Sequence, residues 1–468
     1  MTAGEAARLT GGALRGEAAA LFSGCAIDSR ALAPGMLFVA LPGARADGRR
    51  FIGAAFAAGA GAALSGPALE TAVPPGKAII VTEDPLAAMQ NLARFRRDAL
   101  GARVVAVTGS NGKTTTKDLT AAVLSGRFRV YKSEGNHNNE IGLPLTVLNA
   151  PDDAEALVLE MGMRGLGQIS ALCRICRPDT AVLTNIGSAH MELLGSRENI
   201  ARAKWELVES LPPDGPAVLN AEDEWSAVLG GRRPGPKIYY GTAGRHAFPE
   251  VRGLNLRPAP GMFLGVCFRA EAAAGGGKTQ AAEVRLPLAG EHNVLDALAA
   301  LATGLRFGVP LAAGAAALET ARLSSGRLEV FAGRDGTIID DSYNANPDSM
   351  LASLAVLAER GGARTVAVLG GMLELGAAAE EEHRRVGAAA AALGIGHLVG
   401  TGELGAHISA GALAAGMPPA AVTSCRDNEE ALAVTQAVLR EKLPAAWVLV
   451  KGSRGARMEE ISRALRQG

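Results

Sequence analysis

One segment constrains the fold of this chain more than any other: Val104-Val-Ala-Val107-Thr108-Gly109-Ser110-Asn111-Gly112-Lys113-Thr114-Thr115-Thr116. An apolar, β-branched run enters a Gly-rich turn, and a helix is predicted over about residues 117–124. Strand, glycine turn and helix in that order form the context of a phosphate-binding loop. The glycines let backbone amides approach phosphate oxygens, the helix N-terminus adds positive potential, and Lys113 adds a full charge. Thr114 is placed to offer its hydroxyl to a magnesium ion. Val107 stands where G-x-x-x-x-G-K-[ST] has its first glycine, so the loop is a shortened variant of that pattern.

A phosphate loop of this kind implies a parallel sheet, and the rest of the chain is consistent with one. Short buried runs (Val104–Val107, Leu157–Leu159, Ala181–Leu183) alternate with helical segments, which argues for parallel strands joined by crossover helices. The same logic recurs at Thr337–Ile339, Val366–Leu369 and Trp447–Val450. Near the N-terminus, Met36–Leu41 and Ala78–Val81 predict strands between Pro/Gly turns, and Pro85–Leu100 predicts a helix with proline at its first position. A second helix is expected from about Met458. With 468 residues, the expected fold is α/β in three domains: 1–100, 101–322 and 323–468. The middle one is a P-loop-type, mostly parallel sheet flanked by helices, and the last is Rossmann-like.

Ligands of such sheets bind beyond the carboxyl ends of the strands. Glu160 ends one predicted strand and is suited to magnesium. His190 follows another through Thr184-Asn185. Their bland readings are a solvated acid and a satisfied loop histidine. Asp340-Asp341-Ser342-Tyr343-Asn344-Ala345-Asn346-Pro347 opens a predicted helix and serves equally as a cap.

Composition removes other classes. The 47 Lys+Arg and 47 Asp+Glu residues cancel, which excludes a broadly basic nucleic-acid binder. Aromatic residues at 4% argue against a single-strand stacking platform. Five cysteines make no disulfide framework and favour a reducing cytoplasm. Cys173 and Cys176 form a CxxC pair without a second ligand pair, so a helix face is expected rather than zinc. The mixed charges of the N-terminus do not suit a signal peptide. Phe51–Leu69 is uncharged but Ala/Gly-rich, and reads as a buried helix followed by a strand or loop, not a membrane span.

Together these segments resemble the Mur ligase superfamily, ATP-dependent amide-forming enzymes of peptidoglycan synthesis, over essentially the whole chain. Thr108–Thr114 is similar to the family's shortened phosphate loop. Glu160, His190 and Lys204 stand where the family has a magnesium-binding glutamate and histidine and a carbamylated lysine. Gly290-Glu-His292-Asn293 resembles the adenine-side motif. Ser325-Gly-Arg327 and Asp341 resemble the arginine and aspartate that meet ATP across a domain junction. Gly135-Asn-His-Asn138-Asn139-Glu-Ile-Gly142, Asp341–Pro347, Leu369–Gly376 and Val450–Arg454 look most like the members that add D-alanyl-D-alanine to UDP-N-acetylmuramoyl-tripeptide. Asp28-Ser29-Arg30 and Pro34–Gly43 resemble their UDP-sugar-binding domain. Two positions depart from the pattern: Asp296 stands in place of an asparagine, and Gly371 in place of an aspartate.

The resemblance implies a monomeric cytoplasmic enzyme acting on small molecules, with no nucleic-acid partner and no membrane insertion. It implies ATP and two Mg2+ ions as cofactors. Lys113, Glu160, His190, carbamylated Lys204 and Asn139 would be catalytic. Gly109–Thr115, Asn293, Arg327 and Asp341 would hold ATP. Thr114, Glu160, His190 and Lys204 would hold metal. Ser29, Arg30, Asn138, Asn139, Tyr343 and Asn344 would contact substrate. Arg327 and Asp341 would reach ATP only when the third domain closes. Lys451 and Arg454 face an anionic substrate or form a solvated basic loop. Two rivals are a superfamily ligase with another acceptor and, from a different class, a P-loop NTPase switch.

Overall fold

The computed structural model describes residues 1–43, 46–67, 71–274 and 278–467. Among these, the strands form three sheets, each with helices packed against it. The N-terminal sheet runs Ala13–Gly16, Ala78–Val81, Ala62–Ser65, Leu37–Ala40, Cys25–Ala26. Its first pair is antiparallel and the rest are parallel. The stretch from Phe51 resolves into helix Ile52–Ala57 and strand Ala62–Ser65; Ala68 and Leu69 lie outside the described residues. No helix among the described residues is long and apolar enough to cross a membrane.

The helix Pro85–Leu100 links this sheet to the next. Asp84 accepts hydrogen bonds from the Leu86 and Ala87 amides (2.9 and 3.0 Å), proline occupies the first turn, and Gly101 closes the helix at φ 61°. That left-handed conformation is cheap only for glycine. In the last turn Arg97 donates to the Cys176 carbonyl (2.8 Å) and to Asp179 (3.1 Å). Asp179 also accepts from the Val104 amide at 2.7 Å, which sets the start of the strand feeding the glycine loop.

The central sheet has nine strands in the order Lys278–Leu286, Val266–Ala274, Val251–Pro258, Lys237–Gly241, Ala217–Asn220, Thr180–Leu183, Arg103–Thr108, Ala156–Glu160, Val130–Lys132. From Val251–Pro258 to Val130–Lys132 all neighbours are parallel. Arg103–Thr108 lies between Thr180–Leu183 and Ala156–Glu160, so three strand ends deliver their following loops to one place. The helix after the glycine loop starts at Lys113 and runs to Ser125, earlier than the sequence pattern suggests. Gly112, at φ 78°, turns the chain straight into it.

The three strands between Val251 and Leu286 form an antiparallel edge absent from the sequence expectation. Their outward faces carry cross-strand pairs such as Arg252–Glu271 and Arg257–Glu283, an alternation typical of a half-solvated antiparallel sheet. The C-terminal sheet runs Glu329–Ala332, Gly336–Asp341, Ala446–Lys451, Thr365–Leu369, His397–Thr401, Val422–Cys425. All pairs are parallel except the first. Helix Glu459–Gln467 closes the described chain. Cys173 and Cys176 sit buried on the helix Gln168–Cys176 as free thiols.

Tyr240 ties the central sheet together at the end that carries the loops. It is buried, and its hydroxyl donates to the Leu183 and Thr184 carbonyls (3.1 and 3.2 Å). Tyr240→Phe leaves part of this bonding unmet in a dry site. It should lower unfolding stability by about 1–3 kcal/mol in denaturant titration; an unchanged midpoint would show that the hydroxyl contributes nothing.

Candidate active site

The glycine loop is held by its neighbours before any ligand arrives. The Ser110 amide donates to the Asn185 carbonyl (2.9 Å), and the Asn111 amide donates to the Asn185 side chain (3.0 Å). Thr184 Oγ1 donates to the Asn111 carbonyl, and Thr108 Oγ1 to the Met161 carbonyl at 2.8 Å. A side chain at Gly109 would overlap Thr184 Oγ1, and one at Gly112 would overlap the Asp296 carboxylate. Both glycines are therefore demanded by space.

Two lysines converge on this loop. Lys113 Nζ donates to the Gly109 carbonyl at 2.9 Å and to Ser110 O at 3.2 Å. Lys204, on the helix Arg197–Glu209, donates to the same Gly109 oxygen at 3.0 Å and is 2% exposed. Burial pushes the Lys204 amine well below its usual range, and Lys113 pushes it further. Burial also lowers Lys113, with Glu160 opposing and Arg327 assisting.

Glu160 is buried at the end of its strand. Thr114 Oγ1 donates to Glu160 Oε2 at 2.6 Å, and Asn138 Nδ2 donates to Oε1 at 2.8 Å. Ser133 Oγ accepts from the Glu160 amide at 3.2 Å. A hydroxyl and a carboxylate oxygen this close suit Mg2+, which takes few protein oxygens and draws the rest from phosphates and water. Among the described residues no group of three or more His, Cys, Asp or Glu side chains could hold a metal. His190 and Lys204 are less simply suited: an ammonium repels a cation, so Lys204 fits a metal only as an anion.

A cavity of about 1220 Å3 opens over the loop. Ser110 to Thr115, Asn138, Asn139, Glu160, His190, Asn293, Arg327, Asp341, Tyr343 and Asn344 all line it. Lys204 and Gly109 sit behind the loop and are not among the lining residues. Ser29 and Arg30 are also remote from it; Arg30 folds back onto Asp28 at 2.6 Å on the surface. Asn139 faces the cavity rim, but its side chain accepts from the Ile141 and Gly142 amides (3.2 and 2.8 Å), starting the helix Gly142–Leu148. Asn293 is buried and donates to the Ala289 carbonyl at 2.7 Å.

The C-terminal sheet supplies the opposite wall. The Arg327 guanidinium stacks over the Tyr343 ring at 4.3 Å from its centroid, and its buried Nε has no hydrogen-bond partner among the described residues. Asn346 Nδ2 donates to Asn111 Oδ1 at 2.6 Å, which brings this wall onto the glycine loop. Asp341 accepts from Ser353 Oγ at 2.6 Å and from Lys451 Nζ at 2.5 Å. Lys451 is buried, whereas Arg454 is exposed, so the two basic residues separate into different environments. Lys451 follows five strand residues at the register position opposite Asp341, which explains why it points inward. From sequence, Glu374, Asn185 and Asn346 stood only inside longer segments with no role assigned, and Ser133 in none. Each acts through a loop that only the assembled sheets bring near.

Three models of the Mur ligase family match the chain: the Mur ligase family catalytic domain over residues 21–97, the Mur ligase middle domain over 107–304, and the Mur ligase glutamate ligase domain over 326–454. The UDP-N-acetylmuramoyl-tripeptide--D-alanyl-D-alanine ligase of Bacillus subtilis is 38% identical over 94% of this chain and 93% of its own length. The chain belongs to the Mur ligase family. The Escherichia coli enzyme of the same name is 36% identical over 94% of this Mur ligase and 93% of its own length. Among solved structures, MurF from Acinetobacter baumannii superposes with a TM-score of 0.85 at 29% identity, covering 100% of this chain and 99% of that one. MurF ligase from Thermotoga maritima in complex with ADP gives 0.79 at 28% identity, covering 95% and 97%.

In this Mur ligase Asp296 lies against Gly112 and accepts from Thr116 Oγ1 at 2.8 Å. Burial pushes its carboxyl from an ordinary 3.8 up to about 8, against the opposing effects of Thr116 and Arg327. A carboxyl raised on folding costs stability as pH rises from its unfolded value to its folded one. Asp296→Asn should therefore gain melting temperature relative to the parent between about pH 4 and pH 8, and level off above that. An offset independent of pH would mean that Asp296 is ionised throughout.

Proposed function

We propose that this Mur ligase joins D-alanyl-D-alanine to UDP-N-acetylmuramoyl-tripeptide at the expense of ATP, giving the pentapeptide precursor of peptidoglycan, ADP and phosphate. The observation that carries the reading is the shared cavity in which the glycine loop and Lys113 meet Arg327, Asp341 and Tyr343 of the C-terminal part of the chain. The names of the Bacillus subtilis and Escherichia coli relatives and the ADP complex of the Thermotoga maritima neighbour support it.

An amide does not form from a carboxylate and an amine in water without activation. A tripeptide carboxylate oxygen attacks the γ-phosphorus, the bond to the β-phosphate oxygen breaks, and ADP leaves. The dipeptide amine then attacks the acyl carbon, phosphate departs, and the amine gives up its proton. The demand is to bring anions together, so positioning and positive charge dominate. In this reading the amides of Gly109 to Thr115 and Lys113 cradle the phosphates, with Asn293, Arg327 and Asp341 completing the ATP site. Thr114 and Glu160 would hold one Mg2+, His190 and Lys204 a second. Magnesium, when bound, neutralises charge on the transferring phosphoryl group.

Lys204 would serve as a carbamate. Its depressed amine affinity for protons supports this, because the neutral amine is the form that adds to CO2, releasing a proton and becoming an anionic oxygen ligand. We assign residues 1–100 to the UDP-sugar with Ser29 and Arg30, 101–322 to ATP, and 323–468 to the dipeptide with Tyr343 and Asn344. Asn138 and Asn139 would meet substrate at the cavity rim. The enzyme is proposed to be a cytoplasmic monomer.

Phosphate release from ATP should require both UDP-N-acetylmuramoyl-tripeptide and D-alanyl-D-alanine, with a product of the combined mass. Turnover without dipeptide, or no such product, would overturn the reading and favour an NTPase switch. Lys204→Ala should lose about 10–100-fold in rate, the range expected for a perturbed metal shell, and regain part of it with an added short-chain carboxylate. Full activity in the unsupplemented variant would remove the carbamate from the mechanism.

A further inference from the structure

We propose that Glu374 is a positioning residue that holds the His190 imidazole across the junction between the central and C-terminal sheets. His190 follows the strand Thr180–Leu183, and Glu374 follows the strand Thr365–Leu369. The two share a 2.6 Å hydrogen bond between His190 Nδ1 and Glu374 Oε2. A carboxylate accepts only, so Nδ1 carries the proton and Nε2 keeps its lone pair. Nε2 makes no hydrogen bond among the described residues, and the ring lines the cavity over the glycine loop.

Backbone geometry supports the same conclusion independently. His190 has φ 67° and Glu374 has φ 62°, both left-handed without being glycine. Such residues persist where their surroundings over-determine them, commonly at functional sites. Here each is the other's partner. The Glu374 loop is anchored from its own side, because the Met372 amide donates to His383 Nε2 at 2.7 Å and the Leu373 amide to Ser453 Oγ at 2.9 Å. It also docks on the other side: the Glu192 amide reaches the Glu374 carbonyl at 3.5 Å, and Gly376 packs against the Glu192 side chain.

The loop's sequence concentrates this duty on one residue. Glu374 is the only carboxylate between Gly370 and Ala378. The docked C-terminal sheet thus fixes the His190 ring with its Nε2 lone pair free at the cavity. A carboxylate that fixes a functional histidine in this way typically contributes 10–100-fold to affinity or rate.

The test compares Glu374→Ala and Glu374→Gln with the parent chain; its activity arm rests on the ligase reading above, and its exchange arm does not. In the unliganded protein, backbone amides of residues 189–194 should exchange hydrogen faster in Glu374→Ala and at the parental rate in Glu374→Gln, whose amide oxygen still accepts from Nδ1–H. In the ligase assay, kcat should fall about 10–100-fold for the alanine variant, with KM for dipeptide nearly unchanged, and largely recover for glutamine. Parental exchange and kcat in Glu374→Ala would overturn the assignment, as would equal losses in both variants. Absence of product from the parent chain would instead refute the ligase reading and leave the exchange result to judge Glu374.

Discussion

Two lysine amines donating to one carbonyl oxygen set the terms for this site. Lys113 and Lys204 both reach Gly109 O, at 2.9 and 3.0 Å, Lys204 buried behind the loop and Lys113 half-buried at the cavity. Burial penalises each charge, and Lys113 further penalises a charge on Lys204. That arrangement is costly when empty and is relieved by anions. Glu160 supplies one, and the phosphates of a nucleotide would supply more. A net charge of zero is compatible with an anion-seeking centre because Lys113 and Arg327 concentrate positive charge at one cavity.

The scaffold around that centre follows from strand order. Arg103–Thr108 is flanked by the strands ending in Glu160 and leading to Asn185, so the loop, its acid and its backbone supports arrive together. The C-terminal sheet then closes over them through Asn346 to Asn111 and Glu374 to His190. Asp118 extends the same coupling to the hinge: it lies on the helix after the glycine loop and accepts from Ser324 N and Oγ at 2.9 and 2.8 Å, three residues before Arg327. A shift of the loop's helix would thus be felt by the linker that positions the arginine.

Much of this was legible before any coordinates. The strand, glycine turn and Lys-Thr pair define a local structure whose chemistry is carried by neighbouring residues, and the strands at Leu157 and Ala181 follow from buried runs. The antiparallel edge from Val251 to Leu286 was not legible, because its alternating charges resemble those of solvated loops until the cross-strand partners are known. Lys451 and Glu374 escaped for a related reason. Lys451 reads as one of two basic loop residues until its register opposite Asp341 buries it. Glu374 reads as an ordinary loop acid until His190, 184 residues away, is beside it. Ser29 and Arg30 show the converse: their motif is clear in sequence, yet they lie apart from the central cavity.

The central claim is that the positive charge gathered at the glycine loop holds a tripeptide carboxylate against a terminal phosphate long enough for oxygen to change hands. The most direct measurement is to label the tripeptide carboxylate with 18O, run the reaction with ATP and dipeptide, and weigh the released phosphate. The account predicts one 18O atom transferred to phosphate per amide formed. Phosphate free of label, with the product still made, would contradict it.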